Sequence, residues 1–152
     1  MATNSRYWTT VLWAGLAAGV GDTLLAILLF KVGPVRIYQS VAAGLLGRDS
    51  FQGGLASAAL GMFLHFFIAT TAAAVYVAAS TRLKLLVSQP VLCGLAFGAA
   101  VYFFMNVVVV PLSRAARGGG FVFSWQLMVG HALLVGLPIA LVARWRLRGA
   151  AA

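Results

Sequence analysis

Four apolar stretches of this chain each place a strongly polar residue toward their middle or end: Asp22, His65, Asn106 and His131. Asp22 sits in "AAGVGDTLLAI" and is one of only two acids in the sequence, the other being Asp49. A carboxylate and two imidazoles at one depth are groups that exchange protons near neutral pH, or hold a small polar solute. The same two histidines, His65 and His131, are an alternative pair of axial ligands for a haem b iron. The plainest chemistry is hydrogen bonding that pins helices together. All three readings require the residues to meet.

The elements that must bring them together follow from composition. Of 152 residues, 62% are hydrophobic and 9% charged, and the mean hydropathy is +1.00. A water-soluble domain of this length keeps too much surface to hide so many apolar side chains. Four runs, Trp8–Phe30, Gly54–Ala79, Val91–Pro111 and Val122–Val142, contain no Lys or Arg. Each reaches the ~20 residues a helix needs to cross a bilayer. Continuous Ala-, Leu- and Gly-rich runs are not the ~10-residue alternating segments of a membrane barrel. The expectation is an all-α integral membrane four-helix bundle, one domain over residues 1–152. "TTVLWAGLAAGVGDTLLAILLF" is longer than a signal-peptide core and reads as a retained first span.

Helical periodicity places the polar residues on shared faces, at about 100° per residue. Gly54, Ala58, Gly61, His65, Ala69, Ala72 and Tyr76 form one stripe in the second run. Gly15, Gly19, Asp22 and Ala26 share a face in the first, and Ala99, Tyr102 and Asn106 in the third. Ser124, His131 and Pro138 do so in the fourth, with Gln126 on the far side. Measured from the side of the first and third loops at ~1.5 Å per residue, Asp22 lies ~12 Å deep, His65 ~17 Å, His131 ~14 Å and Asn106 ~8 Å. Face and depth agree across four runs. They predict a polar or solute-binding centre of Asp22, His65, Asn106 and His131, with Tyr102 beside it.

Between the runs, loop one extends from Lys31 to Gly53 and contains "PVRIYQSVAAGLLG". Pro34 suits a first helical turn, so a short interfacial helix is expected at about 35–46, lying over the polar centre. Loop three, "LSRAARGGG", is a Gly-rich connection without catalytic residues. Six basic residues (Arg6, Arg82, Lys84, Arg144, Arg146, Arg148) fall on the side of the termini and five (Lys31, Arg36, Arg48, Arg114, Arg117) on the other. Lys and Arg accumulate on the cytoplasmic side, so both termini are expected there. All eleven lie outside the runs, so the net charge of +9 suits membrane lipid headgroups and not nucleic acid.

Other chemistry is thinly represented. The single cysteine, Cys93, forms no intrachain disulfide, has no metal-ligand spacing around it and reads as a packing residue. No nucleophile–base constellation points to hydrolysis, and no lysine in a run is available for a Schiff base. Enzyme activity is not expected. "GLAAG" (Gly15, Gly19) and "GLAFG" (Gly94, Gly98) space small residues so that helix backbones can approach closely, within the chain or across a homodimer or larger complex.

From His65 onward, "HFFIATTAAAVY", "GLAFGAAVYFFMNVVVVPL" and "GHALLVGLPIALVARWR" follow one another. This pattern, over residues 61–148, resembles the YagU-like family of small bacterial inner-membrane proteins. The shared features are helix-starting histidines, a Gly-rich third span ending in Pro-Leu and a Gly-His fourth span. The resemblance implies a bacterial inner membrane and no known enzyme class. It does not reach Asp22.

Overall fold

The computed structural model of the chain describes residues 2–115 and 122–148. The "RGGG" part of loop three, Arg117 included, lies outside the described residues. Helix α1 spans Ala2–Phe30, α2 Pro34–Leu46, α3 Gly54–Arg82 and α4 Lys84–Ser88, with a 3₁₀ turn at Gly47–Phe51 before α3. Helix α5 runs over Pro90–Leu112 and α6 begins at Trp125 and continues to Arg148. Among the described residues there is no strand. Four helices, α1, α3, α5 and α6, are long and apolar enough to cross a membrane.

Why the chain turns where it does is local chemistry. Lys31 (φ 53°) takes the left-handed backbone that stops α1, and its amide returns to the Ile27 carbonyl at 2.9 Å. Pro34 opens α2, its missing N–H falling where a helix leaves that donor unpaired anyway. Gly47 (φ 67°) and Gly54 (φ 56°) adopt conformations that side chains disfavour; they release α2 and begin α3. Helix α2 lies against α3. Gly61 faces the Tyr38 carbonyl, where any side chain would collide. Gln39 Nε2 donates to the Gly54 carbonyl (3.0 Å), and Arg114 holds the far end of α2 through Gly44 O (2.9 Å) and Leu45 O (3.3 Å). These last bonds satisfy carbonyls that the end of a helix leaves open.

Both α5 and α6 widen by one π-helical turn, at Met105–Val109 and Ala132–Gly136. In each case a proline follows two residues later, Pro111 and Pro138. Proline offers no amide hydrogen and its ring collides with the carbonyl four residues back. The chain responds with bonds spaced five apart: Val110 N–H to Met105 O and Leu137 N–H to Ala132 O. Such turns accommodate proline without breaking the helix.

The helices do not close into a ring. Helix α3 packs on α1 and α2, α5 packs on α6, and α1 meets α6. The core between α1, α3 and α6 is built largely of alanines, Ala14, Ala18, Ala73, Ala140 and Ala143, with Tyr76 and Ile139. Helices α3 and α5 touch through Tyr76 and Phe97, whose ring centres are 5.0 Å apart. Beyond that contact they diverge, leaving an apolar groove of about 410 Å³ with Phe67, Val75, Phe104 and Val109 on its walls.

Glycines set the close approaches. Gly15 and Gly19 face Thr70 and Phe66 of α3, and Gly94 and Gly98 face Gly136, His131 and Ala132 of α6. Both G-x-x-x-G faces are thus occupied within one chain. A side chain at Gly136 would meet only backbone, from Gly94 and Gly98. Gly136→Ala is therefore expected to destabilise the fold by about 1–3 kcal/mol, because backbone cannot step aside. Gly33→Ala, in open space, should stay within about 0.5 kcal/mol. Unfolding of the purified protein in mixed micelles measures both, and equal stability of the two variants would contradict the packing.

Candidate functional site

Asp22 stands between the two histidines. Its Oδ1 is 3.5 Å from His131 Nε2 and its Oδ2 is 3.9 Å from His65 Nδ1. The three side chains come from α1, α3 and α6. His65 and His131 keep 10% and 15% of their side-chain surface exposed, while Asp22 keeps 29%, so the carboxylate is the least enclosed of the three.

The outer nitrogens fix where the imidazole hydrogens are. His65 Nε2 lies 2.8 Å from the Gly19 carbonyl, and His131 Nδ1 lies 2.8 Å from the Leu127 carbonyl. A carbonyl only accepts, so each of these nitrogens carries a hydrogen. In a neutral ring the other nitrogen is then a bare lone pair. Those other nitrogens, Nδ1 of His65 and Nε2 of His131, are the ones facing Asp22. A lone pair facing a carboxylate oxygen is repulsive unless a hydrogen sits between them. A proton on either partner would make each contact attractive.

Each member of the centre is positioned by a missing side chain. Gly19 leaves room for Phe66, which brings the adjacent His65 up to the Gly19 carbonyl. Gly98 accepts the backbone of His131 and Ala132, seating α6 on α5 at the histidine itself. Gly130 receives the Leu25 side chain, and Gly21 faces the Leu134 carbonyl. That carbonyl lies four residues before Pro138 and so finds no amide hydrogen there. A cleft in the surface of α6, beside His131, is what α1 fills next to Asp22.

Two further residues join the centre that sequence reasoning does not single out. Thr23 Oγ1 lies 2.9 Å from the Gly19 carbonyl and 3.2 Å from His65 Nε2. The Tyr38 hydroxyl on α2 lies 3.2 Å from Thr23 Oγ1, and its ring stands 5.8 Å from that of His65. A line of hydroxyls thus runs from half-buried Tyr38 to the imidazole. Threonine is common in apolar helices, where it bonds its own backbone; only the neighbouring "GVGDT" glycines mark this one.

Tyr102 is fully buried, with its ring 5.6 Å from that of His131 and its hydroxyl accepting the Ser124 amide at 2.8 Å. It walls the centre. Asn106 departs from expectation. Its Nδ2 donates to the Tyr102 carbonyl one turn back (2.8 Å), and it makes no hydrogen bond to Asp22, His65 or His131. The residue lies in the π turn before Pro111, where a regular 100° step no longer gives the face. Cys93 is half-buried with its thiol 3.7 Å from the Leu85 carbonyl. Among the described residues, no group of three or more His, Cys, Asp or Glu is placed to hold a metal ion.

Comparison with known protein families, with curated proteins and with solved structures gives no match for this chain.

Proposed function

We propose that this chain is a multi-pass protein of a bacterial inner membrane in which Asp22, His65 and His131 bind and exchange protons. One observation carries the reading: two imidazoles, each with its outer nitrogen committed to a backbone carbonyl, turn their inner nitrogens to the two oxygens of one carboxylate. Contacts of 3.5 and 3.9 Å put both rings close enough for a small side-chain shift to bring them into hydrogen-bond range of the carboxylate. The accessible edge of Asp22 and the Tyr38–Thr23 hydroxyls supply two routes by which protons reach the centre.

Membrane insertion has its own support. Large apolar side chains such as Leu12, Trp13, Phe63, Phe67, Leu92 and Val107 point outward from the long helices. A bilayer covers such surface at no cost, whereas water does not. The inner membrane follows the YagU-like resemblance over residues 61–148. A haem between His65 and His131 has less support, because both inward nitrogens meet Asp22 and the outer nitrogen of His65 is bonded to Gly19. Enzyme activity and a homodimer gain no support from the geometry.

Proton exchange is tested by flux. Protein reconstituted in vesicles with a pH-sensitive dye inside should dissipate an imposed pH difference. Asp22→Asn should slow this by roughly a hundredfold, the lower end of what a positioned proton-transfer group contributes. The amide preserves shape and can still donate to a bare imidazole nitrogen, so the fold should persist. Asp22→Leu leaves both inner nitrogens without that partner and should cost about 1–3 kcal/mol. Undiminished flux through the Asn variant would leave the centre as a structural tie.

Orientation makes a separate prediction from the six basic residues on one side against five on the other. A reporter active only in the cytoplasm should work when fused after Ala152 and fail when inserted in loop three. The opposite pattern, or activity at both sites, reverses or removes the assignment.

A further inference from the structure

At the end of the molecule formed by loop one, a cleft of about 460 Å³ opens between the end of α1, the start of α2 and the 3₁₀ turn. Phe30, Val32, Ile37 and Phe51 give it apolar walls, and Ser40, Arg36 and Arg48 give it polar groups. No carboxylate lines it. Among the described residues the ion pairs all belong to Asp22, so neither arginine has an acidic partner. The guanidinium carbon of Arg36 is 4.3 Å from the centre of the Phe51 ring, which fixes the plane of its donors. The N-terminus of α2, flanked by Val32 and Arg36, has no side-chain cap, so its positive end adds to the two guanidinium charges.

An arginine fork recognises phosphate through paired hydrogen bonds. Apolar walls beside the charges suit the glycerol and first acyl carbons that a lipid phosphate carries and an inorganic one lacks. The cleft also lies level with the end of α1, the depth of the headgroups if the long helices span a bilayer. We propose that the Arg36–Arg48 cleft binds the phosphate of an anionic phospholipid headgroup. This rests on membrane insertion but not on proton exchange at Asp22.

Native mass spectrometry of the detergent-purified full chain, titrated with phosphatidylglycerol, tests the site. Replacing both arginines (Arg36→Gln with Arg48→Gln) should weaken the tightest lipid-binding event roughly thirtyfold, at about a factor of five per basic residue near an anionic surface. Arg82→Gln with Lys84→Gln removes the same charge from exposed residues of the opposite connection. It should change that event less than about twofold. Equal weakening in both pairs, or in neither, overturns the proposal. Arg48→Gln alone, which spares the Phe51 contact, should give about a fivefold loss and serves if the double variant does not fold. Millimolar inorganic phosphate should not displace the lipid. Displacement, together with phosphate binding that depends on the two arginines, would assign the cleft to a soluble phosphate and overturn the lipid assignment. The reporter fusions test membrane insertion separately, so their failure is distinguishable from failure of the cleft.

Discussion

Two imidazoles from two helices can share one carboxylate from a third only where the backbones run closer than ordinary side chains permit. In this chain that closeness is set by absent Cβ atoms around the centre: Gly19 beneath His65, Gly21 beside Asp22, and Gly98 and Gly130 around His131. Everything else at the site depends on it. A larger residue at Gly19 would push on the Phe66 ring, next to His65, whose bond to the Gly19 carbonyl settles its tautomer. Small residues are the usual means of bringing apolar helices together where no hydrophobic drive separates protein from surroundings. At His65 the close approach also decides which nitrogen looks inward, because the outer one meets the Gly19 carbonyl; at His131 the Leu127 carbonyl of its own helix does so.

Much of this is legible in the sequence. Asp22, His65 and His131 fall on predictable faces because α1, most of α3 and the start of α6 are regular, so spacing translates directly into direction. The short helix of loop one was legible from Pro34 and the apolar residues that follow it. The direction of Asn106 is not legible in this way, because a π turn shows in a sequence only through Pro111, five residues further on. Thr23 and Tyr38 were missed for another reason. Tyr38 comes into reach only because α2 lies along α3, which Gly61 permits but does not announce, and Thr23 bonds the Gly19 carbonyl of its own helix, as threonines in apolar helices commonly do.

The two prolines merit comparison as pieces of the same device. Pro138 deprives the Leu134 carbonyl of a helical donor, and the neighbouring helix meets that carbonyl at Gly21, adjacent to Asp22. Pro111 widens α5 just after Tyr102, the wall of the centre, and just before Arg114 reaches across to α2. In both helices the irregular turn sits beside the polar residues and not at random along the length. Irregular turns inside helices are frequent at functional sites, and the cost of the lost bonds is spread over a turn that must deviate anyway.

The open groove between α3 and α5 has a mechanical meaning. Because those helices barely touch, the molecule is two leaves: α1 with α2 and α3, and α5 with α6. They are joined chiefly along the α1–α6 contact, with Arg114 as a clasp on α2 at one edge. His65 and Asp22 belong to the first leaf, and His131 belongs to the second. The Asp22–His65 contact therefore stays inside a leaf, backed by the Gly19 bond, while the Asp22–His131 contact crosses the spine of the book. One side chain thus ties within a leaf through one oxygen and between leaves through the other, and the groove lies on the side where the leaves do not touch.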